Sequence, residues 1–289
     1  MIVIQICGGL GNQMFQVALG RKLACVNQAP LKLDLTPLRT DPLRSYACSP
    51  FRLDAEFASD RDLNTFAIPL ARRMGRIGTV FSTFFPGKNV VREKAFPFDP
   101  EILKVKSPAY LIGYWQTERY FADIADTIRA DFQLVEPFTA DRHDLLNQIQ
   151  ASTAVSVHVR RGDYVTNPSA AVVHGTCSPH WYAQAMTRMA ERVANPKFFV
   201  FSDDADWARD NLPNPDGTVF VRQQADGRDH QDMHLMANCR HHIIANSSFS
   251  WWGAWLNPRQ DKQVIAPAKW FNQSANDTCD LIPEGWEQL

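Results

Sequence analysis

The sequence predicts an α/β protein whose two domains are each built on a parallel sheet. Its 289 residues leave room for two domains of roughly 150 residues each. In the second half of the chain, short apolar segments of strand type alternate with helical stretches, and the first half opens on the same pattern. Parallel strands need a long crossover connection, which the intervening helices supply. We therefore expect βαβ units in both halves.

The first half opens on one such unit and then loses its regularity. A glycine turn joins its first strand to its first helix, and prolines, arginines and scattered phenylalanines dominate residues 36–107. The elements predicted in this half are strands at 2–7, 31–35 and 110–115 and helices at 12–26, 118–130 and 141–150. The last of these helices links two domains, which we expect to comprise residues 1–150 and 151–289.

The second half shows the clearer alternation. Its predicted strands lie at 154–159, 197–202, 218–222, 242–246 and 263–266. The longest helical stretch between them covers residues 179–194, with Ser178 as its N-cap. Polar and charged residues follow the ends of the first four strands. Because parallel sheets bind ligands at the carboxyl ends of their strands, we expect a functional site there.

Composition excludes several classes of protein. The 30 basic and 31 acidic residues give a net charge of −1, which argues against a nucleic-acid-binding protein. No apolar run approaches the roughly 18 residues of a membrane helix, and no segment resembles a signal peptide. The 6 cysteines are scattered without a C-x-x-C pair, so neither zinc nor a disulfide framework is expected. We expect a cytoplasmic protein, and association with the inner face of the membrane stays open.

Residues 8–14 read GGLGNQM and form the glycine turn. Backbone N–H groups at such a helix N-terminus suit a phosphate, and Asp34 stands where a dinucleotide fold has its ribose-binding acid. Met14, however, occupies the third glycine position of G-x-G-x-x-G, so NAD binding is the weaker alternative. Asn12 and Gln13 are equally suited to hydrogen-bonding sugar hydroxyls, and a purely structural turn stays open.

Residues 158–164, HVRRGDY, follow the first strand of the second half with a dense cluster of polar groups. The cluster comprises His158, Arg160, Arg161 and Asp163. An arginine can hold a diphosphate through two hydrogen bonds and stabilise the charge on a departing phosphate. The adjacent acid would orient an arginine or act as a base. A surface ion-pair cluster is the alternative interpretation.

Residues 246–255, NSSFSWWGAW, follow the fourth strand of the second half. Ser247 and Ser248 stand where the strand gives way to a helix, which is a favourable seat for phosphate. Trp251, Trp252 and Trp255 share one helical face. We expect most of them to pack against the sheet, with stacking on a sugar as the alternative.

Two acidic motifs suggest further binding groups. Asp232 lies in a predicted helix, and a carboxylate is the usual acceptor for the parallel N1–H and N2–H donors of guanine. Asp204 and Asp206 match the D-x-D of metal-dependent sugar transferases. A three-residue match is weak evidence in a chain with 31 acids, and Asp204 is also suited to capping a helix.

Taken in order, these motifs resemble the bacterial α-1,2-fucosyltransferases of glycosyltransferase family eleven. The resemblance rests on residues 8–16, 158–164, 201–204 and 244–256. It runs from residue 2 to about residue 270 and is weakest across 36–107. It implies a GT-B architecture in which two Rossmann-like domains face a central cleft. The carboxy-terminal domain would bind GDP-β-L-fucose, and the amino-terminal domain would help shape the acceptor site.

The resemblance also implies an activity. The expected enzyme transfers L-fucose, with inversion, to the 2-hydroxyl of a galactose-type acceptor during surface polysaccharide or O-antigen synthesis. Its expected partners are GDP-fucose and a galactose-containing glycan, with no nucleic acid. Related fucosyltransferases need no metal, so neither a cofactor nor a metal site is expected.

Residue roles follow from the same resemblance. Arg160 resembles the arginine that grips the β-phosphate, His158 and Asp232 resemble the guanine contacts, and Ser247 and Ser248 resemble the diphosphate seat. The other donor-site residues carried over are Arg161, Asp203 and Asn246, and those for the acceptor or cleft are Gly9, Asn12 and Gln13.

The acceptor's base and the class of protein leave alternatives. Asp163 is the candidate base. Some related fucosyltransferases carry a glutamate several residues further on, but residues 165–169 lack it, so that base cannot be carried over. His174 and Glu118 are further candidates, and a dissociative path would give any base a minor role. The alternatives for the whole protein are another linkage or acceptor, a metal-dependent transferase, a nicotinamide enzyme and a non-catalytic nucleotide-sugar-binding protein.

Overall fold

The computed structural model describes residues 1–66, 89–166, 172–173, 175–222, 227–272 and 277–289. The chain divides into two compact units. The first comprises Met1–Val135 and Cys279–Leu281, and the second comprises Glu136–Thr278 and Ile282–Leu289. Each unit contains one sheet whose strand pairings are all parallel. The predicted α/β fold with two parallel sheets is therefore confirmed.

The first unit is built on a five-stranded sheet in the order β3-β2-β1-β5-β4. Its strands are β1 (Ile2–Gln5), β2 (Leu31–Asp34), β3 (Glu56–Phe57), β4 (Val90–Arg92) and β5 (Ala109–Ile112). The α-helices among its described residues are α1 (Leu10–Asn27), α2 (Asp60–Asn64) and α3 (Ala125–Asp131). The centre of the sheet is inaccessible to solvent: Ile2, Val3 and Ile4 of β1 are fully buried. Their burial supplies much of the hydrophobic stabilisation of this unit.

Two features of this unit differ from the sequence-based expectations. Strands β3 and β4 lie in residues 36–107, where the sequence shows no regular pattern. These edge strands are only two and three residues long, which is too short for an alternation to be recognised. The helix expected over 118–130 is a 3₁₀ turn at Glu118–Tyr120, a second at Ala122–Ile124, and then α3. Phe121 interrupts the helix because its φ of −146° lies far from helical values.

The second unit is built on a six-stranded sheet in the order β11-β10-β9-β6-β7-β8. Its strands are β6 (Thr153–Val159), β7 (Pro196–Ser202), β8 (Val219–Val221), β9 (His241–Ile243), β10 (Val264–Ala266) and β11 (Glu287–Gln288). The helices in the described part of this unit are α4 (Ala140–Gln150), α5 (Gly162–Thr166), α6 (Pro179–Arg192), α7 (Ala205–Asn211), α8 (Asp229–Asn238) and α9 (Ser248–Leu256). The Ser178 hydroxyl accepts the N–H of Trp181, so the predicted N-cap of α6 is confirmed.

The division between the units falls at residues 135 and 136, earlier than the expected boundary at 150. Helix α4 packs against α8 and β6, and it buries Leu145 and Ile149 there. This helix therefore belongs to the core of the second unit and is not a linker. The chain also returns to the first unit at Cys279–Leu281, which no pattern in the sequence indicates.

The three tryptophans of α9 are core residues, as the sequence predicts. Trp251 and Trp252 are fully buried, and Trp255 stacks on Trp251 with ring centroids 6.0 Å apart. Helix α8 approaches α9 closely at Gly253, where an added Cβ would lie 3.0 Å from the Met236 side chain. Among the described residues, no helix combines the length and apolar character needed to cross a membrane.

Candidate functional site

The parallel register of β6 and β7 brings an arginine and an aspartate together at one edge of the second sheet. Val159 pairs with Ser202, so Arg160 and Asp203 leave neighbouring strands side by side. Arg160 Nη1 lies 2.8 Å from Asp203 Oδ2, and Asp203 Oδ1 accepts the Arg161 N–H at 2.8 Å. An added Cβ on Gly162 would lie 2.6 Å from Asp203 Oδ2, so a larger residue here would displace the Asp203 carboxylate. Asp203 thus holds both a guanidinium and the backbone that carries it.

Arg161 points toward α7 and contacts two of its residues. Its Nε lies 3.1 Å from Asp204 Oδ2, and its guanidinium lies 3.8 Å from the ring centre of Trp207. Asp204 also caps α7 by accepting the Trp207 N–H at 3.2 Å. Asp206, the second acid of the D-x-D match, pairs with Arg209. In the part of the chain that the structure describes, no group of three or more His, Cys, Asp or Glu side chains could hold a metal.

His158 is a buried, neutral imidazole. Burial and the charge of Arg160 lower its pKa to about 3, so it carries no charge near neutral pH. Its ring lies 5.5 Å from that of Phe249, in the first turn of α9. Its Nδ1 atom is buried without a hydrogen-bond partner among the described residues. A buried ring nitrogen in this state is suited to a ligand that supplies the missing partner.

Two separate motifs of the sequence meet at this edge. Besides the contact between His158 and Phe249, the Tyr164 hydroxyl donates to the backbone oxygen of Asn246 at 3.4 Å. Ser248 is the first residue of α9 and is half-buried. Ser247 is the N-cap residue, is buried, and makes no capping hydrogen bond through its side chain. The first N–H groups of α9 therefore lie near the end of β6, where a helix N-terminus favours an anion.

The amide of Asn246 has a structural role that differs from the donor contact expected of it. Its Nδ2 donates to the backbone oxygen of Gly175 at 3.3 Å and to that of Trp270 at 3.1 Å. The residue is only 3% exposed. Both amide N–H groups are thus used to tie neighbouring loops together.

Asp232 lies on α8 in an ion pair that sequence reasoning missed. Arg142 Nε lies 3.2 Å from Asp232 Oδ1, with 5% of the arginine side chain and 13% of the aspartate side chain exposed. Burial raises the pKa of Asp232 to about 7, while the Arg142 charge opposes that shift. The sequence carries one signal of this ion pair. Arg142 lies on the same face of the helix as Leu145 and Ile149, and a charge on an otherwise apolar face indicates a buried partner.

The glycine turn of the first unit is held by side chains of the helix that follows it. Gly8 has a φ of +76°, and an added Cβ would lie 2.7 Å from the Asn12 side chain. Gly9 is the N-cap of α1, and the Asn12 Oδ1 accepts a hydrogen bond from Gln116. Gln13 is fully buried, contrary to the sugar contact expected of it. Its amide donates to the backbone oxygens of Gly8 and Ser45 and accepts the N–H of Ala47.

Asp34 is also used inside the first unit. It is 1% exposed and accepts the Tyr110 hydroxyl at 2.6 Å and the Thr36 hydroxyl at 2.6 Å. A carboxylate engaged in this way is poorly placed to bind a ribose, which counts against the nicotinamide alternative.

Of the candidate bases, the structure describes the side chain of Glu118. The side chain of Asp163 and all of His174 lie outside the described residues. Glu118 is half-buried and begins the first 3₁₀ turn after β5.

Comparisons with known proteins identify relatives over the whole chain. The model of "Glycosyl transferase family 11" matches residues 98–288. An α-1,2-colitosyltransferase of Escherichia coli is 34% identical, with 100% of this chain and 99% of that protein covered. The O-antigen biosynthesis glycosyltransferase WbnK of Escherichia coli is 32% identical over 98% of this chain and 99% of its own. The galactoside 2-α-L-fucosyltransferase Sec1 of Mus musculus is 36% identical over 38% of this chain and 30% of its own.

A solved structure resembles the fold. A mutant of FUT1 from Arabidopsis thaliana, in complex with GDP, aligns with a TM-score of 0.51 at 14% identity. The alignment covers 99% of this chain and 75% of that one. At this level of identity the likeness concerns the fold alone.

The Gln13 amide provides a test of the glycine-turn geometry. We expect Gln13→Leu to lower the free energy of unfolding by about 3 kcal/mol, because three backbone groups lose their partner. Urea unfolding measures this change. Gln148→Leu, on the exposed side of α4, is the control and should shift stability by less than about 0.5 kcal/mol. Equal stability of the two variants would return Gln13 to the group of candidate sugar contacts.

Proposed function

The chain belongs to glycosyltransferase family 11, and from that premise we propose that it transfers L-fucose from GDP-β-L-fucose to a galactose 2-hydroxyl. Transfer inverts the anomeric centre. The second unit binds the donor, and the first unit contributes to the acceptor site. The galactoside fucosyltransferase among the relatives supports this linkage and acceptor.

The observation that carries the proposal is the fixed guanidinium of Arg160 beside the start of α9. Asp203 holds it at 2.8 Å, and one quarter of its side-chain surface stays exposed. The motif that contains Arg160 contacts the motif that opens α9, through Tyr164 and Asn246. A preorganised cation beside a helix N-terminus is suited to a diphosphate, on which negative charge grows as the glycosidic bond breaks.

The nucleoside end of the donor is recognised by His158 and Asp232. His158 is neutral, and its buried Nδ1 has no hydrogen-bond partner among the described residues. The Asp232 side chain is 13% exposed, and its Oδ1 has no hydrogen-bond partner among the described residues. A carboxylate accepts both N1–H and N2–H of guanine, which adenine cannot offer.

The reaction follows from these placements. The bond between fucosyl C1 and the β-phosphate oxygen breaks, and its electron pair remains on GDP, where Arg160 and the first N–H groups of α9 stabilise it. The acceptor oxygen forms its bond to C1 from the opposite face and loses its proton. Asp163 is the proposed base for that proton.

A second donor is favoured by a specific finding. The full-length relative of 34% identity is named for colitose transfer with the same α-1,2 linkage. Colitose is a deoxy derivative of fucose, so GDP-colitose presents the same nucleotide to the residues of the second unit. The sugar pocket, and not the GDP-binding residues, would distinguish the two donors.

The place of the reaction is part of the proposal. WbnK, the second full-length relative, is named for O-antigen biosynthesis. We propose a role in surface polysaccharide synthesis in the cytoplasm, with no cofactor or metal requirement.

A donor and acceptor panel tests the function directly. The protein is incubated with GDP-fucose or GDP-colitose and with lactose, lacto-N-biose or N-acetyllactosamine, with and without EDTA. We expect EDTA-insensitive transfer to the galactose 2-hydroxyl, with the linkage read by NMR. Transfer from GDP-colitose alone would replace fucose as the donor sugar. Binding of neither nucleotide sugar would overturn the proposal.

Arg160→Ala tests the residue that carries the proposal. We expect kcat to fall by about a hundredfold or more, because one preorganised charge stabiliser is lost. Arg240→Ala, which breaks an exposed ion pair with Asp261 in the same unit, is the control and should leave kcat nearly unchanged. An Arg160→Ala enzyme within a few-fold of wild type would remove Arg160 from its role.

Asp232→Ala tests guanine recognition separately from the chemistry. We expect calorimetry to show a loss of GDP affinity of about tenfold or more, with pyrophosphate affinity retained, because the carboxylate that accepts from the base is removed while Arg160 and α9 remain. Equal losses for both ligands would exclude Asp232 from the guanine site.

A further inference from the structure

Arg142 connects two elements that border the nucleotide-binding edge of the second unit. Its Nε reaches Asp232 on α8, and its Nη2 donates to the backbone oxygen of Arg222 at 2.6 Å, directly after β8. A surface pocket of about 310 Å³ opens beside that strand end, lined by Ala205, Asp206, Arg209 and Arg222. The Arg142 side chain thus contacts both the Asp232 carboxylate and the backbone of Arg222, which lines this pocket.

This ion pair is difficult to explain by stability alone. Arg142 occupies the stripe of α4 that buries Leu145 and Ile149, where an apolar side chain would pack without desolvating a charge. Removing two charges from water costs free energy that their attraction often fails to recover. A buried pair that retains partial exposure on its acidic side therefore suggests a role in binding.

We propose that Arg142 is a positioning residue for guanine recognition: it orients the Asp232 carboxylate toward the N1–H and N2–H donors of the base. The inference rests on the proposed function, because it assumes a guanine nucleotide. The pair is ionic: Arg142 Nε and Asp232 Oδ1 lie 3.2 Å apart, and neither atom has a hydrogen-bond partner among the described residues. The acceptor sites of Oδ1 are therefore open to the donors of a ligand. Arg142 acts through Asp232 and is not itself a contact to the reacting atoms.

The charge of Arg142 also favours the ionised form of the carboxylate. The charged groups that act on Asp232 are Arg142 and Asp141 of α4 and Asp229 of α8, and Arg142 is the positive one. Burial and the two neighbouring acids raise the pKa of Asp232, while Arg142 lowers it. Only the ionised form accepts both guanine donors, so GDP affinity should fall as pH drops through that pKa. Without the positive charge at position 142, this loss should begin at higher pH.

Nucleotide binding by calorimetry separates positioning from a merely structural role. The probes are GDP, IDP, which lacks the guanine 2-amino group, and pyrophosphate. For wild type we expect GDP to bind about tenfold or more tightly than IDP. In Arg142→Lys the GDP affinity should fall about tenfold, the preference over IDP should nearly disappear, and pyrophosphate binding should remain. In Arg142→Met the loss of GDP affinity should also move to higher pH.

Three further variants control for folding and for the route of the effect. Arg240→Met breaks an exposed arginine–aspartate pair in the same unit and should leave the preference for GDP intact. In an Asp232→Asn background, Arg142→Lys should have almost no additional effect, because both substitutions remove one interaction. If Arg142→Met does not fold, Arg142→Met with Asp232→Leu restores an uncharged interior and should fold without guanine preference.

The outcomes distinguish this inference from the proposed function. A wild-type protein that prefers GDP, with Arg142→Lys retaining that preference, would overturn the positioning role and leave the proposed function standing. Equal losses of GDP and pyrophosphate affinity would also overturn it, since they indicate general distortion. A wild-type protein that binds GDP no better than pyrophosphate would overturn both the positioning role and the proposed function.

Discussion

The parallel pairing of β6 and β7 is the constraint on which the candidate site depends. All seven residues of β6 pair with β7, from Thr153 opposite Pro196 to Val159 opposite Ser202. This register makes the two strands end together, so Arg160 and Asp203 meet without either being placed by a flexible loop. A slip of one residue would direct each side chain to the opposite face of the sheet. The buried apolar faces of β6 and β7 prevent that slip and thereby maintain the site.

The charged and titratable groups of the site lie in surroundings of different polarity, and these surroundings determine the pKa of the buried groups. Arg160 and Arg161 are partly exposed and paired with the acids that follow β7. His158 is buried, and its pKa is lowered so far that it remains neutral. Asp232 is mostly buried, and its pKa is raised. The second unit therefore offers a fixed cation and a neutral imidazole at the end of β6, and a mostly buried carboxylate on α8.

Several residues that look functional in the sequence are structural, and the reason is the same in each case. Gln13, Asp34 and Asn246 are short polar side chains beside turns, and buried turns leave backbone groups that need partners. Gln13 and Asn246 satisfy backbone groups of neighbouring loops, and Asp34 accepts the backbone N–H of Thr36. Sequence motifs identify such positions as special, but they do not distinguish a ligand contact from a structural hydrogen bond.

The sequence by itself determined the fold class, most strand positions, the family and the cluster that begins at His158, because hydrophobic periodicity and dense local motifs are properties of neighbouring residues. Short edge strands such as β3, the return of the chain at Cys279–Leu281 and the membership of α4 in the second unit were decided only in the tertiary structure. The same holds for Arg142, which meets Asp232 across 90 positions of sequence. Contacts of that kind depend on how helices pack against a common sheet, and neither residue carries a local pattern that records its partner.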